Sequence, residues 1–392
     1  MALSKIDVAN MVTGVTPVAN GGTAATTLAG AGLQRPNVKP IWINGSMDVA
    51  QRAGSVTGKT AGGIYTVDRM QLDISGTVGT WTVAQEDLTS GAAYTAGFAN
   101  AYRIDCTSTT ASPASAAFLK VISSFEGRDL QMFKKGTASA EKWTLSFWVK
   151  SNRTGTAQVN LRDMDNTRMI GASYSISSAD TWEHKVCNFA ADTTGALGDD
   201  SNRSLIVEWW LDGGSNNTSG AMPTAWEARA VADSMAAGSL DLAGSTDNDY
   251  ALTGIQLEVG EYSSTTLPPF QFESFSENLA RCQRYFLFTG DGDAYQSHGT
   301  GVEVSSTVAY CNISLATPMR ATPSITKEDA LVIFDGNGES AITSLGNVYY
   351  SKFGTVVQLA VTASGGGLSD NAGAIVYSSG DSTSGFLLDA EL

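Results

Sequence analysis

Residues Ala53 to Thr60 read AGSVTGKT and close on Gly58-Lys59-Thr60, the ending of a phosphate-binding loop. Such a loop works because a buried strand delivers backbone N–H groups onto a helix N-terminus, with the lysine reaching the phosphates. Here Ala53 stands where the first glycine belongs, and Asn44-Gly45 interrupts the would-be strand upstream. Downstream, Gly62-Gly63 and β-branched residues occupy the place of the helix. No nucleotide chemistry is expected, and the stretch reads as a turn.

Tryptophan offers a different chemistry. An indole face stacks on the C–H face of a pyranose while polar side chains take its hydroxyls. Of the 8 tryptophans, the candidates for a sugar are Trp148, Trp182 and the adjacent pair Trp209 and Trp210. A strand sends neighbouring side chains to opposite faces, so one of that pair is expected in the core and one outside. Carboxylates in Asp/Asn-rich turns are candidates for calcium: Asp163 and Asp165 in RDMDNTR, Asp247 and Asp249 in DNDY, Asp291 and Asp293 in GDGD. None has the EF-hand spacing, and solvated turns are the plainer reading. For catalysis there is little. The 2 histidines, His184 and His298, exclude a His-rich metal site, and no GxSxG elbow occurs. Core packing competes with sugar binding for every tryptophan.

The elements that would position these residues are strands. Segments such as WTLSFWVKS (143–151), AQVNLRD (157–163), WEHKVCNF (182–189), SLIVEWWLD (204–212) and YALTGIQLEVG (250–260) alternate with Gly/Asn/Asp turns. The pattern predicts a mainly β protein: two antiparallel β-sandwich, jelly-roll-like domains after an extended N-terminal segment. The boundaries fall at 1–40, 41–272 and 273–392, the prolines of LPPFQFESF marking the second. A short helix is expected within 224–239, and a helical turn from Ser276 that gives way to strand. Residues 1–40 have no core of their own.

Composition narrows the partners. A net charge of -15 with 24 Lys and Arg argues against a nucleic-acid backbone and for a polar or glycan partner. The 4 cysteines lie far apart and read as buried free thiols. No signal peptide and no membrane-spanning stretch is expected.

Several patches resemble a module of phage tail-fibre and minor virion proteins. INGSMDVAQRAG followed by GGIYTVDRMQL matches its opening at Asn44, Gln51, Arg52, Tyr65, Asp68 and Arg69. QLEVGEYSSTTLPPFQFESFSENLARCQRYF resembles its join to the next domain, with Gln283 and Arg284. ATPMRATPSIT, the terminal LDAEL and the early VTPVANGGTAATTLAGAG are similar to other elements of such proteins. The resemblance implies a carbohydrate-binding-module-like sandwich over 41–272 and a homotrimer. It also implies attachment to other tail or head proteins through the N-terminal segment, and adhesion to a host-surface glycan. The expected place is the virion, after synthesis in the host cytoplasm. Asp68, Arg69, Gln283 and Arg284 are expected to act structurally, the last two at the join between domains. A decoration or adaptor protein without receptor contact is the alternative reading, and an envelope-glycan hydrolase a further one. No enzyme is expected.

Overall fold

The computed structural model describes residues 39–290, 294–351, 353–365, 367–369 and 371–392. The attachment segment expected over 1–40 lies, up to residue 38, outside the described residues, as do Asp291 and Asp293.

Alternating side chains build two six-stranded antiparallel sheets. The first runs β1 (Ser55–Lys59), β3 (Thr80–Asp87), β4 (Asn100–Ser108), β12 (Asp249–Val259), β6 (Trp143–Lys150), β9 (Glu183–Phe189). The second runs β11 (Glu227–Ala228), β8 (Arg168–Ile176), β7 (Gly155–Asp163), β10 (Arg203–Gly213), β5 (Phe118–Glu126), β2 (Gln71–Ser75). Every second residue turns inward. From the first sheet come Trp81, Tyr102, Trp143, Leu145, Phe147 and Leu252; from the second, Val121, Val159, Leu161, Val207 and Trp209. This is the expected sandwich, and its strands fall where the sequence placed them, within a residue or two. The AGSVTGKT stretch is corrected: it is edge strand β1 rather than a turn, bulged between Val56 and Lys59, and the Lys59 ammonium sits 4.6 Å from the Tyr65 ring centre.

The second sheet is also covered outside. The insertion after β10 folds back on it: Asp233 O accepts from Gln158 Nε2 and Ser234 O from Asn160 Nδ2. The helix expected within 224–239 is a single 3-10 turn, Val231–Asp233, preceded by β11. Polar side chains that anchor this insertion to the sheet replace the apolar stripe a longer helix would need.

The C-terminal strands close into a six-stranded barrel, rather than remaining two open sheets. Its order is β14 (Ser297–Glu303), β15 (Val308–Ser314), β19 (Val356–Ala363), β18 (Glu339–Tyr350), β17 (Leu331–Phe334), β20 (Gly373–Ser378). Closure removes the open edges a small sheet would expose. A three-stranded sheet of β13 (Phe286–Phe288), β21 (Gly385–Asp389) and β16 (Ser324–Glu328) packs at its end. Phe386 and Leu388 from it join Ile333, Leu359 and Val376 in the barrel's own core. Both units are thus mainly β, as predicted.

Two short helices sit beside the sandwich strands: α1 (Ala92–Thr95) and α2 (Phe275–Gln283). α2 starts earlier than expected because Ser274 caps it, its Oγ accepting from the Glu277 N–H and donating to the Glu277 carboxylate. Among the described residues no helix is long and apolar enough to cross a membrane.

Candidate functional site

The sequence patches far apart in the chain converge at the seam between sandwich and barrel. Asn44, held at φ 59, accepts from Val49 N–H and donates to Val49 O and Asp68 O. It also exchanges two hydrogen bonds with Asn278 of α2. Asp68 takes Gln51 Nε2 at 2.5 Å and the Arg52 guanidinium at 3.4 Å. Gln51 continues to Phe286 O, and Arg52 lies 3.5 Å from the Phe286 ring centre while pairing with Asp389 and Glu391. Arg69 donates to Glu391 and to Ser124 O, its guanidinium 3.6 Å from the Tyr285 ring centre. Arg284 forks onto Glu126 with two 2.7 Å bonds, and Tyr285 Oη adds a third. Gln283 closes α2, half-buried beside them.

Electrostatics here are those of a joint. Burial pushes the Asp68 carboxyl up to about 6 despite the Gln51 and Arg52 contacts. Burial would raise Glu126 as well, but Arg284 and Tyr285 hold it below the usual carboxylate range. Asn44, Gln51, Arg52, Asp68, Arg69, Glu126, Arg284 and Tyr285 are each engaged by another residue of the chain. The groove of about 670 Å³ alongside is lined by Arg128, Arg281 and Arg284, and the last two spend their guanidiniums on Glu273, Pro40 O and Glu126. These residues fasten the two units together.

A surface of the opposite character lies on the outer face of the first sheet. Trp148 of β6 and His184 of β9 are cross-strand partners, their rings 5.0 Å apart and inclined by 32°. Facing them, Phe98 behind α1 and Phe270 and Phe272 from the strap after β12 form an aromatic triad, with ring centres 4.8–5.2 Å apart. Gly254 makes the floor. At φ 59 it sits in the bulge where β12 shifts register against β6, and a Cβ there would come within 2.6 Å of Phe98 and 2.8 Å of Trp148. The rings can approach only because this position lacks a side chain. The cleft between the two walls holds about 320 Å³ and adds His184, Gln256 and Ser264 as polar lining. Partial burial and then Lys185 hold His184 below its ordinary value, so at pH 7 the imidazole is neutral and carries one donor and one acceptor.

Of the four tryptophans named for a sugar, one lines the cleft. Trp148 is half-buried and lines the cleft. Trp209 and Trp210 do face opposite sides of β10, yet both are buried, so the expectation of one exposed indole is corrected. Trp209 packs against Trp42 and Phe147. Trp210 is enclosed by Phe118 and the Lys120 ammonium, and its N–H goes to Glu208. Trp182 is buried behind the cleft with Phe98 and Ala251. The sequence missed Phe98, Phe270, Phe272 and the role of His184. A Phe-x-Phe pair just after Pro268-Pro269 was the available signal.

Of the calcium candidates, Asp163, Asp165 and Asp249 are engaged by other residues of the chain. Asp163 is buried and already holds a cation, the Lys135 ammonium at 2.5 Å, which Asp192 shares at 3.0 Å. Asp165 caps the Gly198 N–H. Asp249 pairs with Arg103 at 2.9 Å and caps Asn152, while Asp247 is an exposed turn residue whose carbonyl accepts from Asn152. Among the described residues no group of three or more His, Cys, Asp or Glu is arranged to hold a metal ion. The 4 cysteines are buried and free, as expected.

No family model matches the chain, and no curated protein does. Among solved structures it is similar to the enzymatically active domain of tailspike protein 4 of bacteriophage CBA120, with 10% identity and a TM-score of 0.30 over 56% of this chain. It spans 21% of that domain's length. A family 11 carbohydrate-binding module of a Clostridium thermocellum cellulosomal cellulase matches at 9% identity and TM-score 0.26, over 58% of this chain and 99% of the module. The N-terminal cellulose-binding domain of Cellulomonas fimi β-1,4-glucanase C matches at 11% identity and TM-score 0.24, over 55% and 100%.

Proposed function

We propose that this chain is a phage virion appendage protein, a tail fibre or similar, that adheres to a host-surface glycan through the aromatic cleft of its sandwich. The observation that carries the binding reading is the surface cleft lined by Trp148, His184, Phe270 and Phe272 over the buried Phe98. Core aromatics pack closed, whereas Trp148 is half-buried and Phe272 leaves 54% of its surface exposed. The indole takes the C–H face of a sugar, and His184 and Ser264 reach its hydroxyls. The virion assignment rests on the sequence patches, and those among the described residues contribute Asn44, Asp68, Arg69, Arg284, Arg320 and Glu391 to one seam. Adhesion in this reading is multivalent: a homotrimer presents three weak sites together, so avidity replaces affinity. Its N-terminal segment attaches it to other virion proteins, and no catalytic step is assigned.

A glycan array probed with the wild-type chain and with Trp148→Ala tests this. Expected is retention of defined host-envelope saccharides by the wild type and at least a tenfold loss in the variant. Equal retention by both contradicts the reading.

A further inference from the structure

Resting on that reading, we infer that the cleft selects an uncharged, N-acetylated sugar, a 2-acetamido hexose, over both the parent hexose and acidic sugars. Among the described residues its lining carries no Asp, Glu, Lys or Arg. A carboxylated or phosphorylated sugar entering it would lose hydration with no counter-charge in the lining, against a chain of net charge -15. The apolar phenylalanine side of the cleft makes the second distinction. With one ring face of a hexose on Trp148, a hydroxyl of its rim turned towards Phe270 and Phe272 would be left unpaired. A methyl group on that rim instead meets the apolar surface of Phe270 and Phe272. The polar lining points to an amide beside the methyl. Gln256 spends its Nε2 hydrogens on Glu258 Oε1 at 2.8 Å and Pro268 O at 3.0 Å, which leaves Oε1 as the acceptor it can turn to a ligand N–H. The small volume, about 320 Å³, is at the low end for ligand sites and suits one sugar residue with its substituent.

The test titrates the full chain with N-acetylglucosamine, N-acetylgalactosamine, glucose, galactose, glucuronic acid and N-acetylneuraminic acid, followed by ligand-observed NMR. Wild type is compared with Trp148→Ala and with Phe272→Ser, whose ring is largely exposed, each variant first shown by circular dichroism to be folded. Expected is an acetamido hexose bound at least tenfold more tightly than its parent hexose, saturation strongest at the acetyl methyl, and loss of that preference in Phe272→Ser. Two outcomes overturn the inference alone: a parent hexose binding as well as its acetamido form, or an acidic sugar binding better, with Trp148→Ala still abolishing the signal. If binding of any saccharide is indifferent to Trp148→Ala, or if none of the six sugars and no array glycan binds, the cleft reading falls and the inference with it.

Discussion

At the scale of single residues, this molecule resolves its buried charges by pairing, and the pairs explain where sequence reasoning went wrong. Asp163 was legible as a carboxylate in a polar turn; that Lys135 would arrive from 28 residues away to neutralise it was not. Spacing along a chain reports potential ligands, whereas the counter-ion comes from tertiary packing. Removing it in Lys135→Met should leave the buried Asp163 carboxylate without a counter-charge, while Asp192 keeps Arg168, and cost about 3–5 kcal/mol, read by chemical denaturation. Asp68 behaves differently. Its carboxyl is raised to about 6, so between roughly pH 4 and 6 the folded state binds more protons than the unfolded chain. Stability contributed by that group therefore rises as pH falls from 7 towards 5. The difference in unfolding free energy between wild type and Asp68→Asn should shift in favour of the wild type by about 1–2 kcal/mol over that interval. A pH-independent difference would remove Asp68 as the titrating group. Glu126 and Glu208, both held below the usual range, keep their contribution until lower pH.

At the scale of elements, strands were readable because their alternation is local, while the cleft was not because it depends on register and on a returning strap. Trp148 could be singled out from composition alone. Its neighbour His184 is set by the β6–β9 register, and Phe270 and Phe272 come from a Pro-rich segment that reads as a boundary. Trp210 failed for the same reason in reverse: period-two logic put one indole of the pair on the outer face without saying which, and side chains from β5 cover Trp210 there. The bulge in β12 is the element that joins strand to site. Gly254→Ala should strain the left-handed backbone, force Phe98 and Trp148 apart, and destabilise the sandwich by about 1–3 kcal/mol. Saccharide affinity measured on the folded fraction should fall at the same time.

For the whole molecule, the seam should couple sandwich and barrel into one cooperative unit. The Arg284–Glu126 fork, Arg69–Glu391 and the Arg320 bonds to Ala390 O, Glu391 O and Ser201 O hold it together. Calorimetry of the wild type should show a single transition. Arg284→Ala, which strands the buried Glu126 carboxylate at a cost on the order of 3 kcal/mol, should separate it into two. One transition in both proteins would mean the Arg284–Glu126 fork contributes nothing to coupling. The sequence patches that resemble virion modules carry mostly seam residues, so the resemblance speaks for an architecture, and the cleft has to speak for binding. That is measured most directly by fluorine NMR of protein labelled with 5-fluorotryptophan, the Trp148 resonance being assigned by Trp148→Phe. On addition of a saccharide retained by the array, the account predicts that the Trp148 signal moves in a saturable way while those of buried Trp42, Trp143, Trp209 and Trp210 stay fixed. A bound saccharide that leaves Trp148 unmoved would contradict it.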